Sequence, residues 1–393
     1  MSTYKWYGYR RPDGRHGSRN LVAVIPSVIC ATDVAQAIVR QVQGTVGYFH
    51  HQGCCQLPVD LKRVTDTLIS LGKSPNVAAV LIVSLGCEGT DVGRLLEELK
   101  ATGKPVDVIG IQELGGMSRA IREGIDKAQK MVMEVSGLQR EEADISEVVM
   151  SIKCGGSDTT SGMASNCVIG YVADKLVDLG ATVVFGETTE FIGGEHILAR
   201  RAVGGEDGPV GKKIYEIVDR MEERARAVGE DMRGGQPTPG NIAGGLSSIE
   251  EKSLGAIVKS GHRPIRGVLE YTDFITDQKG LWIKDTPGRE PEILTGMAAT
   301  GAQVMMFSTG RGAPQGFATM PVIKICGNPN TYERMQHDMD LNAGLILTAD
   351  RTIDEVGEEA FSLLLEVLSG KMTKNEALGY FATMDIWCLG PVI

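Results

Sequence analysis

The segment VVMSIKCGGSD at residues 148–158 sets the expected fold, because an apolar run typical of a buried strand ends in a thiol, two glycines, a hydroxyl and a carboxylate. The segment ATVVFGETTEFIGGEH at residues 181–196 repeats this pattern and ends in glutamates and a histidine. Strands that stop at polar, glycine-rich loops are typical of the carboxyl edge of an α/β sheet, where such folds place their sites. Two ordinary loops with solvated acids are the alternative interpretation.

Strand and helix patterns alternate on both sides of this pair. Apolar runs predict further strands at residues 21–26, 45–49, 78–85, 106–111, 303–307 and 321–326. Between them, apolar residues recur at helical spacing, as in Leu61, Val64 and Leu68. We therefore predict an α/β fold with two lobes, each with a mostly parallel sheet flanked by helices. The charged segment GLQREEADI predicts a boundary between a first domain at residues 1–140 and a second at residues 141–393.

Composition narrows the classes of function. The chain has 393 residues and a formal net charge of −10, which argues against a protein that binds nucleic-acid phosphates. Its eight cysteines show no paired CxxC spacing, which favours reduced thiols over a disulfide framework. The N-terminal residues lack the apolar core of a signal peptide, and no apolar run reaches the length of a membrane span. We expect a cytoplasmic protein that binds neither nucleic acid nor membrane.

Donor side chains follow two predicted strands of the first lobe. The motif HHQGCCQ at residues 50–56 combines two histidines with two thiols, and GCEG at residues 86–89 adds a thiol and a carboxylate. Histidine and thiolate are common donors to transition metals. Together with the second lobe, these strand ends predict a divalent-metal site with an acid–base pair. Buried thiols beside exposed imidazoles are the alternative interpretation of the first motif.

Three loops have a composition that suits a bound ligand. The cationic turn at residues 8–20 contains Arg15 and either holds an anion or forms a plain surface turn. The segment STGRG at residues 308–312 combines hydroxyls, free backbone N–H groups and Arg311, a nest that suits a carboxylate or phosphate. The third loop is QPTPGNIAGG at residues 236–245. The P-loop spacing GxxxxGK(S/T) is absent from STGRG and no GxGxxG opens the first βα unit, so nucleotide binding has no support.

These motifs, taken in order, make the chain similar to the large domains of the altronate dehydratase and galactarate dehydratase family. The similarity extends over nearly the whole chain and is carried by GYRRPDGRHGSRN, HQGCCQ, SLGCE, KCGGSD, GETTEFIGGEHI, PTPGNIAGGLSSIEEKSLGAI, DTPG, STGRG and MDLNAG. It implies a hydro-lyase that dehydrates a sugar acid to a 2-keto-3-deoxy acid, activated by iron(II) or a similar divalent ion such as manganese(II). Family members also carry a small N-terminal SAF domain. The resemblance therefore implies an oligomeric enzyme with a separate small SAF-domain subunit, or a protein that works without that domain.

The resemblance also assigns roles to particular residues. The implied metal ligands are Cys54, Cys87, Cys154, Glu195 and His196. The implied acid–base groups are His50, Glu88, Asp158 and His196. Of these, a neutral imidazole is the expected base because it titrates nearest neutrality. The implied substrate contacts are Arg15, Ser157, Glu187, Asn241, Ser308, Thr309 and Arg311, with the last three holding a carboxylate.

Other functions are compatible with the same residues. Dehydration of a 2,3-dihydroxy acid needs a base for the C2 proton, an acid for the leaving 3-hydroxyl and positive charge to stabilise the enolate. A sulfo-lyase that releases sulfite from (2R)-3-sulfolactate removes the same α-proton and is the alternative within the family. A non-catalytic metal- or ligand-binding partner subunit is the alternative from another class. An iron–sulfur dehydratase would need Cys54, Cys87 and Cys154 to converge in space.

Overall fold

The computed structural model describes residues 4–381, 383–391 and 393. The strands in these residues are β1 (Lys5–Arg10), β2 (His16–Gly17), β3 (Leu21–Pro26), β4 (Thr45–Gly47), β5 (Val77–Ser84), β6 (Val106–Gly110), β7 (Glu141–Asp144), β8 (Val149–Cys154), β9 (Thr182–Phe185), β10 (Ile265–Leu269), β11 (Gly280–Lys284), β12 (Val304–Thr309), β13 (Val322–Cys326) and β14 (Leu341–Asn342). The α-helices are α1 (Thr32–Gln41), α2 (Pro58–Lys73), α3 (Val92–Lys100), α4 (Met117–Val135), α5 (Asn166–Asp178), α6 (Glu195–Arg200), α7 (Pro209–Arg226), α8 (Pro239–Ala243), α9 (Ile249–Ile257), α10 (Glu290–Ala298), α11 (Pro329–Arg334), α12 (Leu345–Thr348), α13 (Ile353–Leu368) and α14 (Lys374–Ala377). Within the described ranges, no helix is both long enough and apolar enough to cross a membrane.

The first lobe is built around a parallel sheet with the strand order β4-β3-β5-β6. Its central strands are apolar on both faces, as expected for a parallel sheet that helices cover on both sides. Helices α1 and α4 cover one face, where Ile38 and Met131 share a buried cluster with Val24 and Leu81. Helices α2 and α3 cover the other face through residues such as Leu68.

The second lobe contains a larger sheet with the strand order β10-β11-β9-β8-β12-β13-β14, and its described pairings are all parallel. Helices α5, α7 and α13 pack on one face and α10 packs on the other. In this sheet β8 has two neighbours: β9, which follows it in the chain, lies on one side of it, and β12 lies on the other side. The strand order therefore reverses beside β8, and open α/β sheets bind ligands in the crevice at such a point.

The two lobes share part of one hydrophobic core. The ring of Tyr48 lies 6.1 Å from that of Phe317, and the Tyr48 hydroxyl lies 2.8 Å from Thr319 Oγ1. The side chain of Asn76 donates to the backbone oxygens of Gln303 and Thr319. The antiparallel sheet β2-β1-β7 joins the start of the described chain to the segment between the lobes. These contacts hold the two parallel sheets in one relative position.

The structure confirms the predicted fold class of two α/β lobes with parallel sheets. Strand β3 has the predicted bounds, and β8 covers the apolar run predicted to be a strand in the segment at residues 148–158, ending at Cys154. Strands β10 and β11 were not predicted, because IRGVL and GLWIK mix apolar residues with glycine and positive charge. The segment predicted to separate the domains contains β7, whose sequence EEAD shows no strand pattern but pairs with β1.

Candidate active site

A cavity of about 540 Å³ opens at the carboxyl edge of the second sheet. The loops after β8, β9, β11 and β12 form it together with the segment around α8. The lining residues with polar or charged side chains include Cys154, Ser157, Glu187, Glu190, Asn241, Lys252, Arg289, Glu290 and Arg311. A concave site with converging charged groups suits a small polar molecule.

Three potential metal ligands converge in this cavity. Cys154, Glu187 and Glu190 each offer one ligand atom, and these atoms lie within 4.8 Å of one another. The three residues are almost fully buried, and the Cys154 thiol donates to Glu190 Oε2 at 2.8 Å. Among the described residues, no other set of His, Cys, Asp and Glu side chains meets this spacing. By spacing, this group could hold a metal ion.

Two fully buried lysines neutralise these carboxylates. The Lys259 ammonium lies 2.5 Å from Glu187 Oε2 and 2.6 Å from Glu190 Oε2. Its third contact is with Cys154 Sγ at 3.0 Å. Lys153 Nζ lies 3.1 Å from the other carboxylate oxygen of Glu187. Because buried charges are tolerated only when they are paired and hydrogen-bonded, the two glutamates and two lysines form one ion cluster.

Glu187 reaches this cluster through a left-handed backbone conformation. Its φ is 70°, which costs free energy in a residue other than glycine. Its N–H donates to Thr286 Oγ1 at 2.8 Å, and its Oε2 accepts from the Cys154 N–H at 2.8 Å. Gly186 packs directly on Thr286, since a Cβ there would lie 2.4 Å from Oγ1. These contacts hold the strained turn, and strain of this kind clusters at functional sites.

The cluster moves the pKa values of its two glutamates apart. Burial and the charge of Glu190 raise the pKa of Glu187 above its usual value, although the neighbouring lysines act in the opposite direction. Burial would also raise the pKa of Glu190, but Lys259 and Lys252 lower it to about 2. Burial raises the pKa of the Cys154 thiol, and the adjacent Glu190 adds to this effect. Carboxyl groups with separated pKa values in one cavity suit acid–base chemistry.

The donor types of this cluster suit the divalent ion that the family resemblance implies, because thiolates and carboxylates are both common metal ligands. The space between the donors is taken, however, because the Lys259 ammonium contacts the sulfur of Cys154 and one carboxylate oxygen of each glutamate. A divalent ion beside a buried ammonium would be strongly repelled. The three donors therefore do not fit such an ion while Lys259 keeps this position.

Positive side chains line the outer part of the cavity. Arg311 lines it and has no ion-pair partner in the part of the chain that the structure describes. Lys252 donates to Gln236 Oε1 at 2.8 Å. Arg289 forms an ion pair with Glu292. An arginine without an acidic partner suits an anionic substrate group, which its planar fork can bind through two hydrogen bonds.

Several predicted substrate contacts lie at this cavity. Those that line it are Ser157, Glu187, Asn241 and Arg311. Asn241 Nδ2 donates to the backbone oxygen of Ser157 at 2.8 Å, which ties α8 to the loop after β8. The backbone N–H of Arg311 donates to Gly156 O at 2.9 Å and links the loops after β8 and β12. The structure thus gathers residues that are far apart in sequence, and their contacts with substrate stay predictions.

Other predicted residues of the second lobe are engaged elsewhere. Ser308 Oγ lies 2.7 Å from Ser165 Oγ, and Thr309 Oγ1 accepts from a backbone N–H of its own loop. Both residues are fully buried, so within STGRG only Arg311 lines the main cavity. Asp158 lies beside this cavity, where its Oδ1 accepts from the Ser161 N–H at 2.9 Å.

His50 of the first lobe is held by the backbone. Its Nε2 lies 2.8 Å from the oxygen of Pro26, and its Nδ1 accepts from the N–H of Gln52 at 3.1 Å. Burial lowers the pKa of His50 to about 4, so its ring is neutral near pH 7. Both ring nitrogens are therefore occupied, and the residue does not line the second-lobe cavity.

Cys54, Cys87 and Glu88 lie at the carboxyl edge of the first sheet without joining the buried ligand group. Cys54 is partly exposed, with its Sγ 3.7 Å from that of Cys55, and Cys87 is exposed. The Glu88 carboxylate accepts from a serine hydroxyl at 2.6 Å and from two backbone N–H groups. These hydrogen bonds lower the pKa of Glu88 although partial burial opposes them.

Three further predicted residues lie outside the cavity lining. Glu195 and His196 begin α6, and Glu195 Oε2 is buried without a hydrogen-bond partner among the described residues. Arg15 forms an ion pair with Asp13 at 2.5 Å and lies 4.7 Å from the ring of Phe274 in the second lobe. Arg15 therefore contributes to the contact between lobes. The catalytic and metal-binding roles assigned to these residues stay predictions.

The sequence interpretation did not select Lys153, Lys259 or Glu190 as site residues. A signal existed for Lys153, which follows three buried residues in a parallel strand, and lysine is rarely buried there without an acidic partner. Lys259 lies in the turn after α9, where a lysine is unremarkable in sequence. Only the packing of α9 against the loop after β9 brings Lys259 to Glu187.

Family models match most of the chain. The model for the C-terminal domain of D-galactarate/altronate dehydratase matches residues 145–392. The model for the second domain of D-galactarate dehydratase/altronate hydrolase matches residues 8–136. The chain therefore belongs to the D-galactarate/altronate dehydratase family. The expectation of an enzyme of the carbon–oxygen lyase class is confirmed at the level of this family.

Individual relatives include two kinds of lyase. The chain is 38% identical over 374 residues to the (2R)-sulfolactate sulfo-lyase subunit beta of Chromohalobacter salexigens, and the match covers 95% of each chain. It is 35% identical to the galactarate dehydratase (L-threo-forming) of Escherichia coli over 100% of this chain and 78% of the relative. It is 31% identical to the altronate dehydratase of Bacillus subtilis over 94% of this chain and 75% of the relative.

Proposed function

We propose that the chain is the catalytic part of a hydro-lyase that dehydrates a sugar acid, an aldonate or aldarate, to a 2-keto-3-deoxy acid. One observation carries the proposal. Two buried carboxylates, Glu187 and Glu190, are braced by lysines in a cavity whose lining includes the unpaired Arg311. This arrangement combines an anion anchor with a buried carboxylate that can accept a proton, and α-proton removal from a carboxylic acid requires such a base.

Arg311 is the proposed anchor for the substrate carboxylate. Its guanidinium has no competing acid among the described residues, so a bidentate pair with a carboxylate is available. Binding at Arg311 directs the C2 end of a sugar acid toward the carboxylates deeper in the cavity. Fixed orientation of this kind supplies a large part of the rate enhancement in such reactions.

Glu187 is the proposed base. Its raised pKa makes it a better proton acceptor than Glu190, whose pKa is about 2. Glu187 removes the C2 proton, the electron pair forms the enolate, and the C3–O bond breaks as the 3-hydroxyl takes a proton. Lys252 lines the same cavity and is the proposed donor of that proton. The resulting enol relaxes to the 2-keto acid.

A direct assay tests this proposal. The purified chain would be incubated anaerobically with a panel of aldonic and aldaric acids, with iron(II), manganese(II) or no added metal, and with or without a small SAF-domain protein. We expect a 2-keto-3-deoxy acid, detected by mass spectrometry, from at least one sugar acid. Absence of any 2-keto product under all these conditions would contradict the proposal.

Release of sulfite from (2R)-3-sulfolactate is the second candidate function. The specific observation that favours it is the match over 95% of both chains to a sulfo-lyase subunit beta. The same base and anchor would serve, since the C2 proton is removed and sulfite leaves from C3 in place of hydroxide. Adding (2R)-3-sulfolactate to the panel and measuring free sulfite distinguishes the two reactions.

We also propose that a separate small subunit completes the enzyme. The similar sulfo-lyase chain is called subunit beta, which implies at least one further subunit in that protein. The dehydratase relatives are longer, and the matches cover 75% and 78% of their lengths. Co-expression with a SAF-domain protein followed by size-exclusion chromatography tests this point, and a complex that fails to form would contradict it.

A further inference from the structure

Lys259 occupies an unusual position in the ion cluster. It is fully buried in the turn Val258–Ser260 that follows α9. An ammonium group has three N–H donors. The three contacts of Lys259 are with Glu187 Oε2, Glu190 Oε2 and Cys154 Sγ, at 2.5, 2.6 and 3.0 Å. Each donor therefore has one partner, and the ammonium lies among the same three side chains that form the candidate metal group.

The charges of the cluster balance without a metal ion. The ion pairs of this cluster join three carboxylates to three ammonium groups, which are those of Glu187, Glu190 and Glu290 and of Lys153, Lys252 and Lys259. The thiol of Cys154 donates to Glu190 Oε2 and so acts as a neutral hydrogen-bond donor. A divalent ion at this position would add two positive charges to a balanced cluster in a region of low dielectric constant.

The geometry points to the Lys259 ammonium as the resident cation of the Cys154–Glu187–Glu190 group, where it holds the two carboxylates in place and occupies the space that a divalent ion would need. Lys259 does not line the cavity. It is therefore a positioning residue that acts through Glu187 and Glu190. Any divalent ion that the enzyme uses binds at a different position. This inference deepens the proposed function and rests on it, because a positioning role for Lys259 requires that the cavity is the active site.

Replacing Lys259 tests this role. Lys259→Met keeps most of the length of the side chain and removes its charge. The variant leaves two carboxylates and a thiol within 4.8 Å of one another and without their central cation. We expect this variant to gain affinity for divalent metal, because uncompensated buried carboxylates are costly. In the wild-type chain the same group should remain free of metal.

Cobalt(II) absorption provides a readout that is independent of activity. A thiolate bound to cobalt(II) gives a charge-transfer band, whereas a protonated thiol outside the metal does not. Cobalt(II) would be titrated into wild type, Cys154→Ser, Lys259→Met and the double variant Cys154→Ser/Lys259→Met. Exposed cysteines such as Cys55 and Cys87 contribute the same background to all four proteins. The difference that Cys154→Ser makes therefore reports on Cys154 alone.

We expect wild type and Cys154→Ser to give identical cobalt spectra. We also expect Lys259→Met to gain a band that the double variant lacks. A wild-type band that disappears with Cys154→Ser would overturn the inference, because the metal would then bind beside Lys259. If Lys259→Met does not fold, as judged by circular dichroism, the wild-type and Cys154→Ser pair still decides the question.

The steady-state assay separates this inference from the proposed function. Lys259→Arg retains positive charge, and we expect it to restore part of the kcat that Lys259→Met loses while KM changes little. A chain that turns over no substrate but shows the expected cobalt spectra would contradict the proposed function and leave the resident cation in place. Activity together with a Cys154-dependent band in wild type would support the proposed function and contradict the assignment of Lys259 as the resident cation.

Discussion

The carboxyl edges of the two parallel sheets carry similar residue types but differ in how they arrange them. In the second lobe, Cys154 and two glutamates converge in a buried group with lysines. In the first lobe, Cys87 is exposed and His50 is bonded to the backbone through both ring nitrogens. A set of donor residues at strand ends is therefore not enough to bring those donors together. What distinguishes the second lobe is the buried positive charge that allows its acids to converge.

Replacement of the proposed base should give the largest effect. Glu187→Gln keeps the shape of the side chain and removes its proton-accepting charge, so we expect kcat to fall by roughly 100- to 10,000-fold. The matched variant in the first lobe is Glu88→Gln, which removes a carboxylate that mainly caps a loop and should cost much less activity. Steady-state kinetics with the substrate from the panel measures both. Equal losses in the two variants would remove the distinction between the lobes.

Replacement of the proposed anchor should give the next largest effect. Arg311→Met removes one charge-assisted pair, worth about 1.5–3 kcal/mol, so we expect KM to rise by roughly 10- to 100-fold. Arg15→Met is the matched control, because Arg15 was predicted from sequence to hold an anion but forms an ion pair with Asp13. We expect its KM to stay near the wild-type value. A rise in KM for Arg15→Met alone would assign the anion to the first lobe.

The pH dependence of stability should report the state of His50. Burial lowers its folded pKa to about 4, below the usual value of about 6.5. The native state then binds fewer protons than the unfolded state, so this contribution is complete above about pH 6.5 and decreases as the pH falls toward 4. Between pH 7 and 5 the wild type should lose about 2 kcal/mol more stability than His50→Gln. Urea unfolding at both pH values measures the difference.

The exposed neighbour His51 provides the control for this measurement. His51→Gln leaves His50 buried, and burial is the main cause of the lowered pKa of His50, so most of the pH dependence should remain. If wild type and His50→Gln lose the same stability between pH 7 and 5, His50 is not held neutral by burial.

Thiol labelling should show the smallest effect on the protein and the clearest contrast between lobes. Cys55 and Cys87 are exposed, whereas Cys154 is buried and hydrogen-bonded. In the native chain, an alkylating reagent should modify the first two and leave Cys154 unmodified, since reactivity needs access and thiolate character. Peptide mass spectrometry after a short reaction measures this. Early modification of Cys154 would show that the cluster opens to solvent.

Local patterns made much of the fold predictable. Long apolar runs identified strands such as β3 and β8. Strands β10 and β11 were not predicted, because charged residues and glycine interrupt their apolar runs. The site was predictable to the extent that strand ends meet at one edge, which brought Ser157 and Arg311 to the same cavity. It was not predictable which acids would lie near which lysines, because that depends on helix packing and not on spacing in sequence.

The sequence by itself determined the two α/β lobes, the edge of the second sheet at which several candidate site residues gather, and membership in a family of lyases. These three properties follow from hydrophobic periodicity and from the order of the motifs along the chain. Only the tertiary structure decided that Cys154 joins Glu187 and Glu190, and that Lys259 lies among them. Burial makes this difference, because a charge removed from water must find its partner through packing, wherever in the sequence that partner lies.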